Sequence, residues 1–302
     1  MYKNYFLFEK QVNEIKPLLL GNVIQKIFTY QKNEIVIELS CEKPLFLLIN
    51  ISLHLPYLLI QPAYNIKQHK YQLFEDIKDQ VICDMYIQPY DKHIIIELER
   101  YKIINFFYGK QPNIFICGDN NSIISSFKTG EMPDLSAIEK RIDFRTTDWI
   151  IPDINNIDSL KKILKDQFAA INKTINDEIV FSLGSTNNQE KYNIGLLQRV
   201  FQTFKNEMEI NKTYIYRQNG TIKSISIFRL THLETKNDIT TQEFKTVNDA
   251  WQRFISEKTD KSKFDKLYKE CVSVLKNKMD YLDRTLKHVV ELENLHERKR
   301  IA

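Results

Sequence analysis

Residues 101–119, YKIINFFYGKQPNIFICGD, are two apolar runs split by the turn Tyr108-Gly109-Lys110-Gln111-Pro112-Asn113. Gly109 permits a left-handed or closely approached backbone, and Pro112 stops a hydrogen-bond ladder from running through. Both runs are too hydrophobic to lie exposed, so they read as paired strands. The following NNSIISSFK adds a polar turn and a third strand. Upstream, strand signals cover 23–30, 34–39, 45–51, 57–60, 81–89 and 93–99, with turns at 31–33 and 41–44. Residues 35–39 alternate clearly, whereas 45–51 is apolar on both faces and belongs inside a sheet. A spacing of about ten residues between strands with tight turns favours a sandwich or barrel over a doubly wound sheet.

Helical patterns frame these strands. Phe6, Phe8, Val12, Ile15, Leu18 and Leu19 recur at helical intervals over 6–20, and Gly21 stands where a cap belongs. Residues 71–79 read as a short helix. After Lys128 the composition turns charged and loop-like, and helical spacing resumes over 160–168, 175–183 and 193–207. Strands at 213–216 and 221–228 flank Gln218-Asn219-Gly220, an Asn-Gly pair suited to a type I′ hairpin. Thr246 is the expected N-cap of a last helix that begins within 244–254. The expected organisation is 1–130 β-rich, 131–158 linker, 159–250 helical module with a hairpin, and 251–302 a coiled-coil helix.

That last helix carries a seam. Tyr268, Val272, Leu275, Met279, Leu282, Leu286 and Val289 alternate four- and three-residue steps with charges between them. A lone helix cannot bury such a stripe, so the pattern calls for a returning helix, a second copy or another partner.

Composition excludes more than it proposes. With 302 residues, 43% of them hydrophobic, the chain can bury a sizeable core. The net charge of +4 permits nucleic acid without demanding it. The N-terminus is too short and charged for a signal peptide, and no run nears the roughly 18 apolar residues of a membrane span. A cytoplasmic protein without membrane association is expected. Cys41, Cys83, Cys117 and Cys271 sit singly in apolar runs and read as small buried hydrophobes. No glycine loop, nucleophile elbow or histidine spacing points to a catalytic residue, a metal or a cofactor. His54, beside Pro56, reads as a satisfied, partly buried histidine, and Glu97 with Glu99 as the solvated face of an edge strand. Lys92, His93, Lys102 and Lys110 are candidates for a phosphate-binding patch on neighbouring strand ends.

An ordered series of segments resembles the NFACT family, the RqcH/FbpA/NEMF proteins of ribosome-associated quality control. It comprises Leu20-Gly21-Asn22-Val23-Ile24-Gln25-Lys26-Ile27, Asn33-Glu34-Ile35-Val36-Ile37 and Gln88-x-x-Asp91-Lys92. Downstream come Gly109-Lys110-x-x-Asn113, the helices of 160–207 and Phe244-x-x-Val247-Asn248-x-Ala250-x-x-x-Phe254. The resemblance spans essentially the whole chain and implies an α+β fold. Its parts would be an antiparallel β-sandwich like the N-terminal domain of formamidopyrimidine-DNA glycosylases, a helix–two-turns–helix module and the start of a coiled coil. It implies no enzyme: those glycosylases use an N-terminal proline, and this chain begins Met1-Tyr2.

The resemblance also implies partners: tRNA and the obstructed large ribosomal subunit, with alanine tails added to stalled chains. RNA contacts would fall on Asp91, Lys92, His93, Lys102, Lys110 and Asn113, and the basic coiled-coil helix would meet ribosomal RNA. Three departures stand out. Lys92 replaces an arginine, Asn105 a common glutamate, and the returning helix and C-terminal RNA-binding domain are missing, as in a truncated chain. Lysine keeps the charge but loses the bidentate fork. Two other readings remain open: an adhesin-like fibronectin-binding surface, a role ascribed to some members of the family, and a glycosylase-fold DNA-binding protein.

Overall fold

A computed structural model describes residues 4–41, 43–66, 70–89, 93–107, 112–118, 120, 122–131, 143–146, 157–168, 170–185 and 194–301. It divides into two compact units, Met1–Phe254 and Ile255–Ala302.

The first unit is an α+β assembly of antiparallel sheets. Helix α1 (Tyr5–Leu19) starts at Asn4, whose side chain accepts from Phe6 N, and stops before Gly21 at φ 79°. Strands β1 (Val23–Gln31), β2 (Glu34–Ser40), β3 (Leu45–Asn50), β4 (Tyr57–Gln61) and β5 (Tyr71–Gln72) form one sheet in the order β4-β3-β2-β1-β5. Strands β6 (Ile82–Ile87), β7 (His93–Leu98), β8 (Tyr101–Phe106), β9 (Asn113–Gly118) and β10 (Ile123–Ser126) form a second meander in the order β10-β9-β8-β7-β6. A bridge between Val23 and Val81 joins the two sheets at a corner, flanked by a 2.9 Å bond from Gly21 N to Ile82 O.

Period-two alternation decides the core. Ile27, Ile35, Ile37, Leu47, Ile49 and Leu58 share one face of the first sheet and are buried. The second sheet is apolar on both faces: Ile94, Ile96, Ile103, Ile114 and Ile116 fill one, while Ile95, Ile104, Phe106, Phe115 and Cys117 cluster on the other. Helix α1 touches β4 and β6, and Gln11 donates to Leu58 O.

Helices α2 (Ile157–Gln167), α3 (Lys173–Ser185) and α4 (Ile194–Glu209) precede a small sheet in the order β12-β11-β13. In it, β11 (Thr213–Gln218) and β12 (Thr221–Ser226) meet at Asn219 and Gly220, with φ of 50° and 71°, the two positive values a type I′ turn requires. Short α5 (Thr231–Glu234) and β13 (Ile239–Phe244) follow. Glu178 of α3 is buried, and its carboxylate receives the Thr231 hydroxyl, His232 N at 3.0 Å and His232 Nδ1 at 2.5 Å. Burial alone would raise the Glu178 carboxyl, but these hydrogen bonds hold it below its ordinary value. Lys10 of α1 donates to Met208 O at 3.3 Å and to Ile210 O at the end of α4. Within the expected linker, Phe144 is buried between Phe6 and Phe201, at centroid distances of 5.2 and 5.0 Å. Arg145 beside it ties Glu9 to Asp143, both at 2.8 Å.

Helix α6 (Val247–Ile301) begins with Asp249 N donating to Thr246 Oγ1 at 3.0 Å, so Thr246 is the N-cap. Glu14 of α1 accepts from Val247 N at 2.8 Å. In the second unit the helix exposes Tyr268, Val272, Leu275, Met279, Leu282 and Leu286; the side chain of Val289 lies outside the described residues.

Four expectations need correction. Residues 71–79 hold no α-helix: Leu73 N bonds Ile27 O as an edge strand, and Phe74 at φ 54° breaks into one 3₁₀ turn, Glu75–Ile77. Three of the four cysteines are exposed, because Cys41 lies in the bend after β2, Cys83 faces outward from β6, and Cys271 lies on α6; only Cys117 is buried. Glu97 is on no edge strand, since β7 lies between β6 and β8. His54 is exposed, in the loop between β3 and β4 rather than in a strand.

Candidate functional site

The antiparallel register of the second sheet sets which turns are neighbours. His93 pairs with Phe106, and Phe106 pairs with Asn113. The flanks of the turns at 88–93 and 107–112 therefore share one end of the sheet. Asp91, Lys92 and Lys110 lie outside the described residues.

At that end His93 is buried, its ring 5.1 Å from Phe106. Asn113 is buried too and works as a surrogate strand rung: its Nδ2 donates to Lys128 O at 2.7 Å, and its Oδ1 accepts from Lys128 N at 2.8 Å. That is why asparagine suits the position: its amide offers a donor and an acceptor together. Both amide atoms are thus occupied by protein backbone. Lys102 is elsewhere. It pairs with Glu97 and Cys117 near the start of β8, about four residues or ~13 Å from Phe106 at 3.3 Å per residue. Its ammonium contacts Glu97 at 3.2 Å. The expected gathering of Lys102 with the turn residues does not occur.

The same end carries a cation that sequence reasoning passed over. Lys128, just beyond β10, is held by Asn113 through its backbone, and its Nζ donates to Pro112 O at 3.2 Å. Burial, and then the neighbouring charge of Lys32, hold its ammonium below the ordinary value. A pocket of 440 Å³ opens beside it. The first sheet contributes Asn33 from the β1–β2 turn and Ile51 to His54 from the β3–β4 loop; the second contributes Pro112, Asn113, Lys128 and Thr129. No carboxylate lines it among the described residues. A signal was available: Lys128 follows the third strand of a run, β8 to β10, whose first turn already holds Lys110.

No group of His, Cys, Asp and Glu suited to a metal exists among the described residues, and no described helix is long and apolar enough to cross a membrane.

Comparison with known proteins bears on the fold and the family. No curated protein matches the chain. A crystal structure described as the fibrinogen binding protein from Staphylococcus aureus is similar in fold, with a TM-score of 0.64 at 17% identity. The match covers 84% of this chain and 99% of that one. The N-terminal part of the fibronectin/fibrinogen-binding protein from Streptococcus suis is similar at TM-score 0.57 and 14% identity, covering 84% and 99%. Residues 4–301 match the family described as NFACT N-terminal and middle domains, and the chain belongs to that family.

Proposed function

We propose that this protein is a non-enzymatic, cytoplasmic RNA-binding component of ribosome-associated quality control that binds tRNA and the obstructed large ribosomal subunit. Membership of the NFACT family supports the process. The observation that carries the RNA reading is the row His93–Phe106–Asn113, which gives the flanks of both lysine-bearing turns a common sheet end beside Lys128. In this reading Lys92, Lys110 and Lys128 meet the RNA backbone, Asp91 positions the RNA together with Lys92, and His93 and Asn113 hold the platform. Lysines positioned in this way act on phosphates as point charges. No cofactor or metal takes part. In the same reading the two large sheets form a glycosylase-like sandwich without glycosylase chemistry, and α2 to α4 contain the helix–two-turns–helix module. The exposed seam of α6 pairs as a coiled coil with a second copy, and its basic outer face meets ribosomal RNA. Crosslinking in cells, followed by sequencing of the attached RNA, tests the reading. Enrichment of tRNA and large-subunit RNA is expected, and their absence would sink it.

A second reading, a protein-binding surface, is favoured by the names of the two similar structures, which are described as binding fibrinogen or fibronectin. Labelling intact cells with a membrane-impermeant reagent separates the two: the RNA reading expects no label on this protein.

A further inference from the structure

We propose that the pocket between the Asn33 turn, the 51–54 loop and Lys128 is a subsite for a single unpaired nucleotide, phosphate on Lys128 and base against the wall of Leu53, His54 and Pro112. The proposal rests on the RNA reading for the source of that nucleotide, and it assigns the nucleotide a place which that reading does not specify.

Four observations carry it. The volume, 440 Å³, lies within the range of about 300–1,000 Å³ that small-ligand clefts occupy. The charge is one-sided: Lys128 is anchored to Pro112 O by one N–H, which leaves its other two donors for a ligand, and Lys32 stands near enough to act on its charge. With no lining carboxylate among the described residues to neutralise this pair, an anion completes the site. Leu53, 46% exposed, and exposed His54 offer an apolar and an aromatic surface on which a base can stack.

The polar groups also sort themselves. Ser52 Oγ is engaged with Leu55, donating to its carbonyl at 3.0 Å and accepting from its N–H at 3.2 Å. Asn113 is engaged with Lys128. The Asn33 side chain has no partner among the described residues, and its amide can read a base edge with donor and acceptor together. Pocket and turns share Pro112 and Asn113, so a strand crossing the turns can drop one residue into it.

The test titrates the full chain with AMP, adenosine and inorganic phosphate in parallel, following the amide resonances of His54, Lys128 and Asn33 by NMR. AMP is expected to shift all three and to bind at least about tenfold more tightly than adenosine or phosphate alone, since each lacks half of the contacts. Lys128→Gln should lose about tenfold for AMP, as one charge-assisted hydrogen bond would. His54→Ala, an exposed substitution that leaves folding intact, should lose severalfold for AMP and nothing for phosphate. Resonances unmoved by AMP, or Lys128→Gln binding AMP like the parent, would overturn the proposal, even where tRNA affinity depends on Lys92 and Lys110. AMP binding without tRNA affinity would support the subsite and overturn the RNA reading.

Discussion

Asn248, in the first turn of α6, exchanges two hydrogen bonds with the backbone of Ile60 on edge strand β4: Ile60 N donates to Oδ1, and Nδ2 donates to Ile60 O, both at 2.9 Å. A side-chain amide thus does for a sheet edge what another strand would. It satisfies the edge while setting the start of the helix against the sheet. Val247, Ala250, Trp251 and Phe254 around it are buried, which gives the Val-Asn-x-Ala segment a physical reason.

Asn248→Asp keeps the shape and the acceptor but removes the donor, leaving Ile60 O unpaired beside a new charge. We expect a loss of about 2 kcal/mol, and about as much for Asn248→Ala. Urea unfolding with an unchanged denaturant slope measures it; a loss under 0.5 kcal/mol would contradict the double bond.

Glu207 supplies a pH dependence. Burial lifts its carboxyl to about 7 from an ordinary 4.5, against the 3.1 Å hydrogen bond from Arg229 N. Between those values the folded state keeps a proton that the unfolded chain has released, so stability falls as pH rises through that window. Glu207→Gln removes the dependence. It should stabilise the protein by about 1 kcal/mol at pH 8, allowing for partial solvent screening, and change nothing at pH 4. Thermal unfolding at the two pH values reads the difference.

Gly220 sits at φ 71°, and a Cβ added there would meet nothing within 4 Å. The cost of Gly220→Val is therefore conformational, about 1–2 kcal/mol, with no packing contribution. Asn219, at φ 50°, tolerates glycine, so Asn219→Gly should cost less than half of that in the same unfolding experiment.

The seam is tested by concentration. Leu275 and Leu282 are 63% and 56% exposed, and pairing of the stripe would bury them. Sedimentation is expected to show concentration-dependent self-association that Leu275→Glu with Leu282→Glu abolishes, without moving the unfolding midpoint of the Met1–Phe254 unit. A parent chain monomeric at high concentration would contradict pairing between copies.

What could be read from the residues follows from how local each signal is. The Asn-Gly hairpin, the Thr246 cap, the opening helix and the strands of both large sheets apart from β5 depend on a few neighbouring residues, and they appear where periodicity and turn chemistry put them. Strand β13 carries no apolar alternation, since most of Ile239–Phe244 is exposed, and it is recognised by its backbone pairing with β11. The 3₁₀ turn after β5 depends on a left-handed Phe74 that no propensity suggests. At the site, the common sheet end of His93, Phe106 and Asn113 followed from meander logic, but the burial of His93 and Asn113 did not. Lys128 gains its importance from a pairing across fifteen residues and from a loop of the other sheet. Single-sequence patterns hold no record of such non-local meetings.

The central claim is that lysines on two neighbouring turns grip an RNA backbone together. The direct measurement is tRNA affinity against salt for the parent and for Lys92→Ala with Lys110→Ala. The slope of log K on log salt should become shallower by about 2, roughly one counterion per lysine, with affinity falling at every salt concentration. An unchanged slope and affinity in the double variant would contradict it.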